Sequence, residues 1–126
     1  MYAAFGRGDV PAILDCLADD VHWEQWEDNS AQKAGVPTMI GGTGKAAVAS
    51  FFAEVGRMQI AEFRVLDLMT SERQVAAEVF IDTIASSGRR YRDEEVHLWT
   101  FDDAGKVTRF RHYIDTAKHM RAANKE

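Results

Sequence analysis

The chain has 126 residues, 46% hydrophobic and 28% charged, with a formal charge of −5. That length carries one domain and not two, and the acidic balance excludes a surface built for nucleic acid or anionic lipid, which needs a basic excess. No apolar run reaches the roughly 18 residues of a membrane span and no signal segment opens the chain; the single cysteine, Cys16, fits a reducing compartment, so the expected location is the cytoplasm.

From the N-terminus, Tyr2 and Phe5, then Val10, Ile13, Leu14 and Leu17, recur at helical spacing. Gly6-Arg7-Gly8 divides them into two helices, the second capped by Asp9 with Pro11 close behind. An amphipathic helix starting at the first residue suggests that a native N-terminal turn precedes it. Ala18-Asp19-Asp20 ends the helix, and Val21, Trp23 and Gln25 alternate with His22, Glu24 and Trp26 as a short strand. Residues 28 to 44 are polar and glycine-rich, a loop long enough to cover a cavity. Its tail, GGTGKAA, is not a phosphate-binding loop: Met39 stands where the first glycine of GxxxxGK belongs, and Ala46 follows Lys45 where Ser or Thr is needed. Lys45 to Met58 reads as a helix burying Val48, Phe51, Phe52 and Val55. Phe63 to Met69 is a strand with Phe63, Val65 and one of Leu66 and Leu68 inward, and Val75 to Ala85 is the next.

The most informative stretch is Arg90 to Asp115. Tyr91, Asp93, Glu95, His97, Trp99 and Phe101 share one parity, then Phe110, His112 and Ile114 share a face of a second run. Asp102-Asp103-Ala104-Gly105-Lys106 supplies the hairpin turn between them, with a glycine where positive φ is needed. Asp115 then caps a short helix from Thr116 to Ala123. Helices followed by strands joined through tight turns give an α+β domain: a strongly curved, mixed and mainly antiparallel sheet with helices over its concave face, spanning residues 1–126. Such a roll encloses a cavity.

The segments YAAFGRGDVPAILDCLADDVHWE, GKAAVASFFAEV and VHLWTFDDAGKVTRFRHYIDT resemble, in order and over nearly the whole chain, the SnoaL-like branch of the nuclear transport factor 2-like superfamily. The resemblance implies a cone-shaped roll. It leaves the activity open, because this branch includes cyclases, isomerases, epoxide hydrolases, dehydratases and domains without chemistry. The ketosteroid isomerase pattern fails at its base, where Gln25 stands, and at one oxyanion donor, where Tyr2 is one residue out of register; the other donor corresponds to His97. The epoxide hydrolase triad is absent, with Val79, Ile81 and His112 at its positions.

The resemblance implies that His97, Trp99, Phe110 and His112 point into the cone, with Trp23, Gln25, Val79 and Ile81 on its other walls. Two imidazoles in an aromatic cavity suit acid–base chemistry on an apolar, carbonyl-bearing molecule, with His112 as base and His97 as donor. Asp115 reads as a helix cap in preference to an acid, and Asp93 to Glu95 as a solvated or salt-bridged strand end. No HxH or HxxxH spacing is present, so neither a metal nor an organic cofactor is expected. Mixed apolar and charged residues on the outer sheet face (Glu78, Phe80, Asp82, Val96, Leu98, Arg109, Arg111, Tyr113) suit a homodimer, as family members form. Three functions are consistent with this pattern: an acid–base enzyme, a non-catalytic ligand binder, and a dimerisation module with a filled core.

Overall fold

Period-two alternation forces successive side chains to opposite faces of a sheet, and the apolar parity must then be covered. A computed structural model describes residues 1–126. The elements are α1 (Tyr2–Gly6), α2 (Val10–Asp15), β1 (Leu17–Trp23), α3 (Ser30–Lys33), a 3-10 turn (Pro37–Met39), β2 (Gly42–Thr43), α4 (Lys45–Val55), β3 (Gln59–Thr70), β4 (Gln74–Ile84), β5 (Arg90–Phe101), β6 (Val107–Tyr113) and α5 (Thr116–Ala122). One sheet runs β2-β1-β6-β5-β4-β3, with β1 and β6 parallel and every other pair antiparallel. The fold is the expected α+β curved roll, and the sheet does not close on itself. Gly105 turns the β5–β6 hairpin at φ 79°.

Register explains the core. Trp99 pairs with Phe110 across β5 and β6, and Phe110 with Trp23 across β6 and β1. The rings follow suit: Trp23 stacks on Phe110 at 4.2 Å and Phe110 lies 4.4 Å from Trp99. Helix α4 presents Val48, Phe51 and Phe52 at helical spacing to this row, with Phe51 and Phe52 at 5.4 and 6.0 Å from Trp23. Helix α1 covers β3, its Tyr2 and Phe5 rings lying 5.9 and 5.0 Å from Phe63.

Four sequence expectations change. Leu17 leaves the second helix and opens β1, because its backbone pairs with Val107 of β6. The loop of residues 28–44 contains α3, the 3-10 turn and β2. Strand β1 stops at Trp23: Glu24 and Gln25 both donate to the Phe110 carbonyl, and Gln25 and Trp26 then turn left-handed at φ 60° and 62°. Non-glycine residues adopt that region at a cost, offset here by the Asn29 side chain, which donates to the carbonyls of Gln25 and Trp26. Finally, Val65, Leu66, Leu68 and Met69 are exposed by 37–54%, because β3 is the outer strand and no helix reaches that half.

Candidate functional site

On the concave face the row beside the aromatics carries imidazoles. His97 of β5 stands opposite His112 of β6, and their ring centroids are 4.8 Å apart. Two residues back along β5, on the same face, comes Glu95, then Asp93; both are buried. The reading of Asp93–Glu95 as a solvated or salt-bridged strand end therefore divides: Asp93 and Glu95 are buried in ion-pair contact with histidines. Only Glu94, of opposite parity, faces solvent.

These carboxylates are buried because imidazoles hold them. Glu95 Oε1 lies 2.8 Å from His112 Nε2 and 3.7 Å from His97 Nε2. Its Oε2 lies 2.9 Å from His119 Nε2, which is also 2.9 Å from Asp93 Oδ2. His119 comes from α5, one turn after its cap. The Asp115 carboxylate caps that helix by accepting from the amides of Ala117 and Lys118, while the Asp115 amide donates to Asp93 Oδ2. The cap thus sets both the helix and the histidine it delivers.

The electrostatics follow from these contacts. Burial alone would lower the pKa of His119, but hydrogen bonds to Asp93 and Glu95 outweigh it and lift the value to about 9. Burial would raise Glu95, yet attraction to His112, hydrogen bonds from His112 and His119 and the nearby His97 ring hold it well below the usual carboxylate range. For His97, burial wins over the opposing pull of Glu95 and pushes its pKa down, so the ring is neutral near pH 7.

Tyr2 fixes the His97 tautomer. Its hydroxyl accepts the Trp99 indole N–H at 3.0 Å and lies 2.8 Å from His97 Nδ1. Burial keeps the phenol protonated, pushing its pKa well up. The hydroxyl hydrogen therefore goes to Nδ1, and the proton of the neutral imidazole sits on Nε2. Tyr2, which the register argument discounted, is part of the site. At His112 the ring N–H at Nε2 donates to Glu95, which leaves a buried Nδ1 with no hydrogen-bond partner.

Above this floor lies a cavity of about 80 Å³. Trp23, Ile81, Trp99, Phe110, His97 and His112 line it, together with Glu95, Tyr91 and His119. Val79 and Gln25 do not. Val79 pairs with Glu95 and is fully buried beside it. Gln25 is turned away by its left-handed backbone and donates from Nε2 to the Thr38 carbonyl, pinning the 3-10 turn. Although the linear spacing offers no metal motif, the strands bring together two groups of metal-ligating side chains, Glu95-His97-His112 and Asp93-Glu95-His119, each with its ligand atoms within 4.8 Å of one another.

Comparison with known proteins agrees with this architecture. The SnoaL-like domain profile matches residues 1–110. An NTF2-like protein of unknown function from Burkholderia pseudomallei is 30% identical, over 97% of this chain and 90% of its own, with a TM-score of 0.76. TerC, crystallised with polyporic acid, is 27% identical over 98% of this chain and 92% of its own, with a TM-score of 0.74. An LEH-like epoxide hydrolase from Mycobacterium tuberculosis, 18% identical over 97% of this chain and 82% of its own, shares the fold with a TM-score of 0.69. No protein of curated function matches significantly.

Proposed function

The chain belongs to the SnoaL-like domain family, and we propose on that footing that it binds a compact, apolar carbonyl compound in the cavity and isomerises, cyclises or dehydrates it by acid–base chemistry. The observation that carries this reading is the pair His97 and His112, set side by side on the floor of a mainly apolar cavity, one braced by a phenol and the other by a carboxylate. His112 Nδ1 takes the proton from the carbon beside the carbonyl, and the C–H electrons move onto the carbonyl oxygen. The Nε2–H of neutral His97 donates to that enolate oxygen. Returning the proton to another carbon completes an isomerisation; in a dehydration the enolate electrons form the new C=C bond as a β-hydroxyl takes the proton from His112 and leaves as water.

The test is hydrogen–deuterium exchange at the carbon beside the carbonyl, followed by proton NMR in D₂O, with aryl ketones such as acetophenone and 2-tetralone. We expect exchange above the buffer rate, falling at least about 100-fold in His112→Gln, the lower end of a general base's typical contribution. Polyporic acid, the compound crystallised with TerC, serves as a binding probe. Ketones that bind without exchange would leave a non-catalytic ligand binder, and failure of every probe to bind would leave a dimerisation module.

In the same proposal the protein works in the cytoplasm as a homodimer paired through the outer sheet face. On that face Phe80, Val96, Leu98 and Tyr113 are only half-buried, while Asp82 is already neutralised by Arg90 and Arg92. Light scattering should give twice 14.1 kDa; a monomer mass at micromolar concentration would dismiss the pairing. No helix of the protein is long and apolar enough to cross a membrane.

A further inference from the structure

We propose that Glu95, His97 and His112 form a binding site for one divalent transition-metal ion, with an open coordination position toward the cavity. Ligands at about 2.0–2.2 Å from a zinc-class ion stand about 3–3.5 Å from one another. Here Glu95 Oε1 is 2.8 Å from His112 Nε2 and 3.7 Å from His97 Nε2, so the ligand atoms bracket that separation before any ion enters. The three residues sit on two adjacent paired strands, a rigid frame, and all three line the cavity. Two imidazoles and one carboxylate select Zn²⁺, Fe²⁺ or Co²⁺ over Mg²⁺ and Ca²⁺, which take oxygen ligands.

The surroundings of His97 and Glu95 match what ligating residues require, while the second ring nitrogen of His112 has no protein partner. A metal-bound histidine is oriented through its other ring nitrogen, and His97 Nδ1 faces the Tyr2 hydroxyl at 2.8 Å, itself fixed by Trp99. On metal binding at Nε2 the ring proton moves to Nδ1, and the Tyr2 oxygen accepts it. The free oxygen of Glu95 is held by His119, which Asp93 holds in turn, so the carboxylate offers one oxygen to the ion. The alternative group, Asp93-Glu95-His119, is a brace and not a site. Asp93 already accepts the Asp115 amide, faces Lys118 at 3.8 Å, and does not line the cavity.

This inference rests on the proposed function only in placing the substrate oxygen over this floor, where the ion would polarise it in place of the His97 N–H. The binding test needs no substrate. Chelator-treated protein is titrated with Co²⁺, followed by its visible d–d bands, and with Zn²⁺ by calorimetry. We expect one equivalent to bind, with intensified bands that mark fewer than six ligands. Affinity should fall at least about 100-fold in Glu95→Gln, His97→Gln and His112→Gln, and stay unchanged in His22→Gln, an exposed histidine. Tyr2→Phe keeps all three ligands and covers the case where a ligand variant misfolds; it should weaken binding about 10-fold, as loss of an outer partner does. Absence of saturable Co²⁺ or Zn²⁺ binding, or binding that survives in the His97→Gln/His112→Gln double variant, overturns the site. Ketone exchange that persists in chelator without metal binding overturns the metal and keeps the acid–base reading. Metal binding without exchange does the reverse.

Discussion

Glu95→Ala is expected to lower the stability of the metal-free protein by about 3–5 kcal/mol, the range for removing one partner from a buried charged pair. The residue is 4% exposed, and its two oxygens serve His112 and His119 while His97 stands nearby. Truncation leaves the His112 N–H buried without an acceptor and His119 dependent on Asp93 alone. In a chain of this length the melting temperature should drop by roughly 10–20 °C. Glu95→Gln keeps an acceptor in place and should cost less. Replacing Glu95 and His119 together by leucine should cost less than the sum of the single changes, because the contact between these two residues is then lost once and neither is left without the other. Urea titrations of wild type, Glu95→Ala, Glu95→Gln, the two single leucine variants and their double variant check this. A Glu95→Ala variant within about 1 kcal/mol of wild type would mean that the network does not form.

The second large effect is the pH profile of stability, measured in the presence of chelator. The pKa of His119 is raised from 6.5 to about 9 in the folded protein. Folding therefore gains from its protonated form, fully below pH 6.5, and the gain disappears as pH rises through 9. At about 1.4 kcal/mol per unit, the limb amounts to roughly 3 kcal/mol at most, since the same pairing is shared with two carboxylates. Glu95 acts in the opposite sense. Its folded value lies well below 4.5, so its contribution is present above that pH and is lost in acid. Wild type should be most stable between these limits, near pH 5–6.5. His119→Gln, less stable overall, should show a nearly flat profile from pH 6.5 to 9. An alkaline slope equal to wild type in that variant would assign the limb to some other group.

The alternation of Arg90–Asp115 already contained the strands, the hairpin and the inward placement of His97, Trp99, Phe110 and His112, because period two leaves no freedom once one face is buried. The same parity put Asp93 and Glu95 on the buried face. A solvated or salt-bridged strand end leaves both outcomes open for them, because charge weighs heavily against burial and the sequence does not display the cations that reverse that balance. His119 was out of reach for a different reason. It lies 24 residues beyond Glu95 on a helix, and only the docking of that helix brings it to the strand. The buried positions His119 and Ala122, three apart on α5, were the one signal available. Gln25 was misplaced because alternation was carried two residues past the end of the strand, where left-handed backbone cancels it. Val79 has the right parity, but Glu95 stands beside it on the same face and takes the place in the cavity wall.

The aromatic row has a practical optical consequence. Trp23 and Trp99 sit in the cavity wall, and the buried Trp23 indole N–H has no hydrogen-bond partner. Trp26 is elsewhere, its ring 5.2 Å from that of Tyr113 on the far side of the sheet. Two of the three indoles therefore report the polarity and quenching of the interior, and the third supplies a constant reference. Occupancy of the cavity by a colourless ketone, or by a paramagnetic ion on the histidines beside Trp99, becomes readable from intrinsic emission without any label.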